Sequence, residues 1–156
     1  MSLYLFLKFL HVLAAIVAVG TNATYGVLLA RAHRDPKHLR HVRESVRALD
    51  RTVATPAYAL LFITGLLLVW LGPLPITAFW LLSSLILFLL AAALGLWVLT
   101  PLTHRQDAAL QRHGPDSPEY RRLRARLNRM SGVAALIVLV ITYLMVAKPA
   151  LWGVNR

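Results

Sequence analysis

The sequence predicts an all-α, polytopic membrane protein: a four-transmembrane-helix bundle with both termini outside and two basic loops in the cytoplasm. Hydrophobic residues make up 58% of the 156 residues, above the roughly 45–50% usual for a soluble domain. Four apolar stretches each reach at least about 20 residues, the length that crosses a hydrocarbon core as a helix. We expect one transmembrane domain over residues 1–156. Its spans lie at about 3–30, 53–72, 77–100 and 131–151.

The first two spans follow from length and local pattern. In lipid the backbone must satisfy its own hydrogen bonds, so an apolar stretch of this length forms a helix. The first stretch has no basic segment before it and is too long for the apolar core of a signal peptide, which predicts a retained span. Ahead of the second span, apolar residues recur every three or four positions over residues 36–51, which predicts a cytoplasmic helix.

The last two spans are joined by a longer polar segment. Ser117 followed by Pro118 is typical of a helix start, with serine as the N-cap and proline in the first turn. We expect this helix to run without a break through Asn128 into the fourth span. Residues 104–115 are predicted to be the most flexible stretch. Glycines within or beside the spans are expected to allow close helix contacts, namely Gly20, Gly26, Gly65, Gly95 and Gly132.

The charges are distributed asymmetrically along the chain. Fourteen of the seventeen Lys and Arg residues lie in residues 31–52 and 101–130, whereas the turn between the second and third spans has none. The positive-inside rule places both basic loops in the cytoplasm. We therefore predict a multi-pass protein of the bacterial cytoplasmic (inner) membrane. Membrane lipids are its expected partners, because topology and anionic headgroups already explain the basic excess without nucleic acid.

Several kinds of chemistry are excluded or disfavoured. With no cysteine in the chain, disulfides, thiolate metal sites and cysteine nucleophiles are excluded. All six acidic residues lie in the two long loops, which argues against a carboxylate proton relay within the bilayer. The sequence also lacks a Walker loop, a Rossmann glycine pattern, a zincin motif and a nucleophile elbow.

Ionisable side chains do interrupt two spans near their outer ends. Lys8 and His11 are three residues apart in the first span and share a helix face. Lys148 lies near the outer end of the antiparallel fourth span. No carboxylate lies at the same depth in the membrane as Lys8 and Lys148. These two cations therefore need another anion, which a lipid phosphate or the propionates of a porphyrin would supply. In the simpler alternative, both lysines snorkel to the headgroups and His11 hydrogen-bonds to a neighbouring helix.

His11 is the candidate metal ligand, because neutral histidine is a common axial ligand of haem iron. It lies one turn deeper than Lys8, and the other histidines lie at or beyond the cytoplasmic span ends. Met145 lies one turn inward from Lys148 and is the candidate second axial ligand. Two alternatives stay open here: Met145 as apolar filler, and five-coordinate iron.

Three segments, taken in order, resemble a known superfamily over nearly the whole chain. They are Lys8-Phe9-Leu10-His11, Ala54-Thr55-Pro56-Ala57, and Arg126-Leu127-Asn128 with an apolar span ending at Lys148-Pro149. The chain resembles the small four-helix membrane proteins that include HemJ-type protoporphyrinogen oxidase. It is more similar to an uncharacterised bacterial branch of predicted integral membrane proteins of unknown function. The resemblance implies that His11 binds haem b, with Lys8 and Lys148 nearby.

We therefore expect a haem- or porphyrin-binding membrane protein with a redox role and His11 as axial ligand. A HemJ-like oxidase and a small b-type cytochrome are two versions of this function, so enzymatic activity is left open. Three polar residues are expected to order the bundle: Asn22, Thr55 and Asn128. The alternative is a cofactor-free accessory subunit of a larger membrane complex. A homo-oligomer is the other form of assembly considered.

Overall fold

A computed structural model describes residues 2–34, 37–72 and 75–149, and these residues form helices and no strand. The elements are α1 (Leu3–Ala32), α2 (Leu39–Leu49), α3 (Thr55–Leu71), α4 (Phe79–Leu94), α5 (Thr100–His113) and α6 (Pro118–Ala147). A π-helical turn over Asp50–Ala54 joins α2 to α3, and a second over Gly95–Leu99 joins α4 to α5. The all-α class is confirmed.

Four continuous helices are long and apolar enough to cross a membrane, as the sequence predicted. They run over Leu3–Ala32, Leu39–Leu71, Phe79–His113 and Pro118–Ala147. At about 1.5 Å per residue such helices are about 45–52 Å long, which exceeds the hydrocarbon core of about 30 Å. Each crossing helix therefore extends beyond its apolar segment, and the extensions carry most of the basic residues of the two long loops.

Both π-helical turns immediately precede a Thr-Pro pair. Proline cannot donate a backbone hydrogen bond, and its ring clashes with the carbonyl four residues earlier. The N–H of Thr55 therefore reaches back five residues to the Asp50 carbonyl, and the N–H of Thr100 reaches the Gly95 carbonyl in the same way. The Thr100 hydroxyl also donates to the Gly95 carbonyl at 3.0 Å. The helices continue through these prolines because the wider turn accommodates the displaced carbonyl.

The chain divides into two compact units, residues 1–74 and 75–156, which are described separately. In the first unit, α1 packs against α2 and α3. The buried side chains of α1 include Ala14 and Ala18, and those of α3 include Ala57 and Thr64. Small side chains let two helices approach closely in a bilayer, where apolar faces alone do not distinguish a partner from lipid.

The glycine prediction is correct at one position. A Cβ added to Gly65 would lie 3.1 Å from an atom of His11, so this glycine does permit a close contact. At the other four predicted positions (Gly20, Gly26, Gly95 and Gly132) an added Cβ would meet nothing within 4 Å. There the prediction is wrong, and in α1 the small buried residues are the alanines Ala14, Ala18 and Ala32 instead.

In the second unit, α6 packs against α4 and α5. Residues 104–113, which belong to the stretch predicted to be most flexible, are helical, because α5 continues through His113. Its buried residues are Leu102, Gln106, Asp107 and Ala109, and three of them (Leu102, Gln106 and Ala109) recur at spacings of four and three. This spacing gives α5 one packed face, which holds the segment in a helix after the apolar span has ended.

Different residues determine where α6 begins and where it ends. At its start the Ser117 hydroxyl accepts the Tyr120 N–H at 3.2 Å, and the helix then runs unbroken to Ala147, as predicted. It ends before the predicted boundary at residue 151, because Pro149 disfavours a helical conformation at the residue before it. Lys148 accordingly adopts a left-handed conformation with φ 45°. Residues 150 and 151 lie outside the described part of the chain.

Candidate functional site

The site predicted around His11 lies between α1 and α3 in the first unit. His11 is half-buried, and its Nδ1 lies 3.0 Å from Oγ1 of Thr64, a residue 53 positions later in the chain. Thr64 is only 2% exposed. The sequence identified His11 but not this partner, because Thr64 is one of several hydroxyl residues in the apolar spans and nothing in its local pattern distinguishes it.

A count of hydrogens assigns the direction of this bond. The Thr64 hydroxyl has one hydrogen, and the Leu60 carbonyl lies 2.6 Å from its oxygen, with the Leu61 carbonyl at 3.2 Å. A hydroxyl that donates to a backbone carbonyl offers only lone pairs to a further neighbour. We therefore assign Nδ1 of His11 as the donor to Thr64. In the neutral imidazole this leaves the lone pair on Nε2.

Gly65 supplies the space that the imidazole needs. A Cβ at this position would lie 3.1 Å from Cε1 and 3.6 Å from Nδ1 of His11. Consecutive residues of α3 thus provide the hydrogen-bond acceptor and the space beside the ring. Such a contact restricts the orientation of the ring as well as its tautomer.

Lys8 and Tyr4 lie in the first turns of α1, in the same unit. Lys8 is exposed and lies one turn before His11 in α1, as predicted. Tyr4 packs against Gly72 so closely that an added Cβ would lie 2.7 Å from Cε2 of its ring. The start of α1 and the end of α3 are therefore in contact.

The other two predicted site residues lie in the second unit. Nζ of Lys148 lies 5.4 Å from the centroid of the Trp80 ring, within the range of a cation–π interaction. Trp80 is only 8% exposed, so it differs from a boundary tryptophan that faces the headgroups. Met145 is half-buried one turn before Lys148. The predicted pairing of Met145 with His11 joins two units that are described separately, so it stays a prediction.

A second polar cluster of the first unit lies nearer the C-terminal end of α1, which leads into the first basic loop. Asn22 donates one amide hydrogen to the Ala18 carbonyl at 2.9 Å and the other to the Tyr58 hydroxyl. Asp50, the first residue of the π-helical turn, interacts electrostatically with Tyr25 and Tyr58. The Tyr25 hydroxyl oxygen is buried and has no hydrogen-bond partner within the described residues. The sequence predicted an ordering role for Asn22 but did not associate any loop carboxylate with span residues.

Two further polar residues were predicted to order the bundle. Thr55, in the first unit, and Asn128, in the second, are both exposed. Within the described ranges, no group of three or more His, Asp or Glu side chains is arranged to hold a metal ion. A metal at His11 would thus need ligands from a bound group such as a porphyrin, as the sequence analysis expects.

Comparison with known proteins gives one match. A family model described as "Predicted integral membrane protein (DUF2269)" matches residues 5–149. No curated protein matches the chain, and no solved structure does. The matched range includes all four predicted site residues, three of the four crossing helices and all but the first two residues of α1.

Proposed function

The chain belongs to the DUF2269 family of predicted integral membrane proteins, and we propose that it binds haem or a related porphyrin through His11 and has a redox role. The family description gives no activity, so the proposal rests on the residues themselves. A HemJ-like protoporphyrinogen oxidase and a small b-type cytochrome are the two forms of this function. The chain is in either case an integral, multi-pass membrane protein in contact with lipid.

The observation that carries the proposal is the hydrogen bond from His11 Nδ1 to Thr64. An axial histidine needs a free lone pair on one ring nitrogen and usually donates the other N–H to a protein acceptor. His11 meets both conditions, since Thr64 accepts from Nδ1 at 3.0 Å and the Thr64 hydrogen is directed to Leu60. The same bond also meets the simpler alternative, in which His11 hydrogen-bonds to a neighbouring helix, so iron binding is decided by the spectrum described below.

The surrounding residues fit a porphyrin. Lys8 is exposed one turn toward the outer end, where it is the lysine that we assign to a propionate. Lys148 is the second candidate, although its ammonium already interacts with Trp80. Haem b, when bound, would supply one-electron redox chemistry. The chain itself would hold the iron through His11 Nε2 and keep that nitrogen unprotonated through Thr64.

One observation favours a second function, that of a cofactor-free accessory subunit. Lys148 has an aromatic partner within its own unit, so this lysine does not require an anionic cofactor. An accessory subunit would pack its apolar faces against a larger membrane complex. Copurification of a stoichiometric partner protein, without any chromophore, would support this alternative.

An absorption spectrum distinguishes these functions. The protein is purified in mild detergent after expression with ample haem supply, and spectra are recorded in the oxidised and the reduced state. A Soret band with about one haem per chain is expected for an axial histidine ligand. Protoporphyrinogen turnover then separates the oxidase from the cytochrome. A colourless, folded protein would contradict the proposal.

Substitution of Thr64 tests the tautomer. Thr64→Val keeps the shape of the side chain but removes the hydroxyl oxygen that lies 3.0 Å from Nδ1 of His11. We expect haem affinity to fall about 10- to 100-fold, the usual effect of losing such a supporting hydrogen bond. Thr64→Ser retains the hydroxyl and serves as the matched control, with affinity near that of the wild type. Haem titration followed at the Soret band measures both; equal affinities for Val and Ser would contradict this role of Thr64.

A further inference from the structure

A carboxylate and two phenols approach one another where the first basic loop (residues 31–52) meets the second crossing helix. Asp50 begins the π-helical turn, Tyr25 lies on α1 and Tyr58 lies on α3. Both tyrosines interact electrostatically with Asp50, and all three residues belong to the first unit. Single turns of π-helix occur frequently at functional sites, and this turn carries the only acidic side chain of the group.

The hydrogen bonds of this group are incomplete. Tyr58 accepts an amide hydrogen from Asn22, so the hydrogen of its own hydroxyl is still available for donation. The Tyr25 hydroxyl oxygen is buried and has no partner among the residues that the structure describes. Within the same residues, neither phenol is hydrogen-bonded directly to Asp50. Two donors therefore lack an acceptor beside a carboxylate that can accept from several donors.

One water molecule between the three side chains would complete these bonds. Its oxygen would accept one hydrogen bond from each phenol, and one of its hydrogens would go to the carboxylate of Asp50. Buried waters typically make about three hydrogen bonds, and they do so with polar groups that otherwise have no partner. Without such a bridge, the Tyr25 hydroxyl stays unpartnered, which costs about as much as a lost hydrogen bond.

The surrounding charge favours a neutral molecule over a metal cation. The π-helical turn packs against α1, α2 and α3. Besides the two tyrosines, the charged side chains that flank Asp50 are Arg47 of α2 and Arg51 of the turn, and both are exposed. A cation needs several oxygen lone pairs directed toward it, whereas the phenols offer hydrogens. Two flanking guanidinium groups also repel a second cation.

The group opens toward the first basic loop and is closed in the other direction. Asp50 is exposed, whereas the Tyr25 hydroxyl is buried. Farther along α1 the buried side chains are Ala18 and Ala14, which have no group that can carry a proton. His11 lies about 21 Å from Tyr25 along the helix, at about 1.5 Å per residue. The group is therefore separate from the His11 site.

We infer that Asp50, Tyr25 and Tyr58 bind one water molecule and form a proton relay that opens toward the first basic loop. A proton that reaches the Asp50 carboxylate passes to the buried phenols through the hydrogen bonds of the water. Each O–H bond that breaks is replaced by one that forms, so the transfer needs no other reactant. The relay ends at Tyr25 and does not cross the membrane. It does not depend on haem binding at His11.

A double-mutant cycle tests the water bridge. Tyr25→Phe is expected to lower the folding equilibrium constant about fivefold, the usual contribution of one hydrogen bond. In an Asp50→Leu background the same substitution should change the constant by less than about twofold, because the bridge has lost its acceptor. Asp116→Leu removes an exposed carboxylate of the second unit and is the matched control, in which the full effect of Tyr25→Phe should remain. Unfolding in mixed micelles gives the constants.

Infrared difference spectra test the proton transfer. The full-length protein in nanodiscs is taken from neutral to acidic pH, and ring-labelled tyrosine identifies the phenol bands. Protonation of Asp50 should give a carboxyl band together with changed phenol bands. Asp50→Asn should remove both, and Tyr25→Phe/Tyr58→Phe should remove the phenol bands alone. Asp116→Asn should leave both in place.

Three results would overturn the inference. The first is an unchanged or higher stability of Tyr25→Phe, which is the result for a buried hydroxyl without a partner. The second is an undiminished effect of Tyr25→Phe in the Asp50→Leu background. The third is an Asp50 carboxyl band that appears without any change in the phenol bands.

Discussion

Replacing His11 by alanine is expected to abolish the Soret band of the haem-loaded protein. The Nε2 lone pair is the donor that we assign to the iron, and an alanine side chain offers no donor in its place. The neighbouring polar group cannot substitute, because Thr64 directs its hydrogen to Leu60 and is 2% exposed. Spectra of wild type and variant at matched protein concentration measure the effect.

Two controls separate ligation from a purely structural role of His11. His104→Ala removes an exposed histidine of α5 and should leave the spectrum unchanged. His11→Gly opens the ligand position to added imidazole, which should restore the band if the ring binds iron. A spectrum unchanged in His11→Ala, or a loss that imidazole does not reverse in a folded His11→Gly protein, would contradict the ligand assignment.

The largest effect on stability is expected at Tyr120. It is 1% exposed and is the largest fully buried side chain in the described part of the chain. It lies in the first turn of α6, whose N-terminal part packs against α5. Truncating a buried aromatic side chain to alanine costs about 3–5 kcal/mol. We expect Tyr120→Ala to lower the free energy of unfolding by this amount.

The same helix offers a matched control for this prediction. Tyr143 is 65% exposed, so Tyr143→Ala creates no internal cavity and should change stability by less than about 1 kcal/mol. Tyr120→Phe retains the ring and should preserve most of the stability. Unfolding in mixed micelles of increasing denaturing detergent, followed by circular dichroism, gives the three values. Similar losses for Tyr120→Ala and Tyr143→Ala would show that burial does not set the contribution of Tyr120.

The parts of the fold that depend on residues close together in the chain could be predicted from the sequence. Each span satisfies length and apolarity by itself, and the Ser117 cap uses residues three positions apart. The π-helical turns also had a local signal, the Thr-Pro pairs at 55–56 and 100–101. That signal was recognised at 54–57 only as part of a family motif. Its effect on the backbone follows from the missing proline N–H.

Only some residues of the candidate site could be predicted from the sequence. An ionisable residue in an apolar span stands out against its surroundings, which is why His11, Lys8 and Lys148 could be identified. Their partners do not stand out. Thr64, Gly65 and Trp80 are ordinary residues of membrane helices, and the glycine predictions failed at four of five positions because glycine content does not reveal which face is packed.

The sequence by itself thus determined that this chain forms helices that cross a membrane four times, where its basic residues collect, and which side chain is the candidate ligand. These features depend on composition and short spacing. Only the tertiary structure decided that His11 meets Thr64, that Lys148 meets Trp80, and that Asp50 approaches Tyr25 and Tyr58. The physical reason is that a helix apolar on all sides has no distinct hydrophobic face. Its packed face is set by the shape of contacts between residues far apart in the chain.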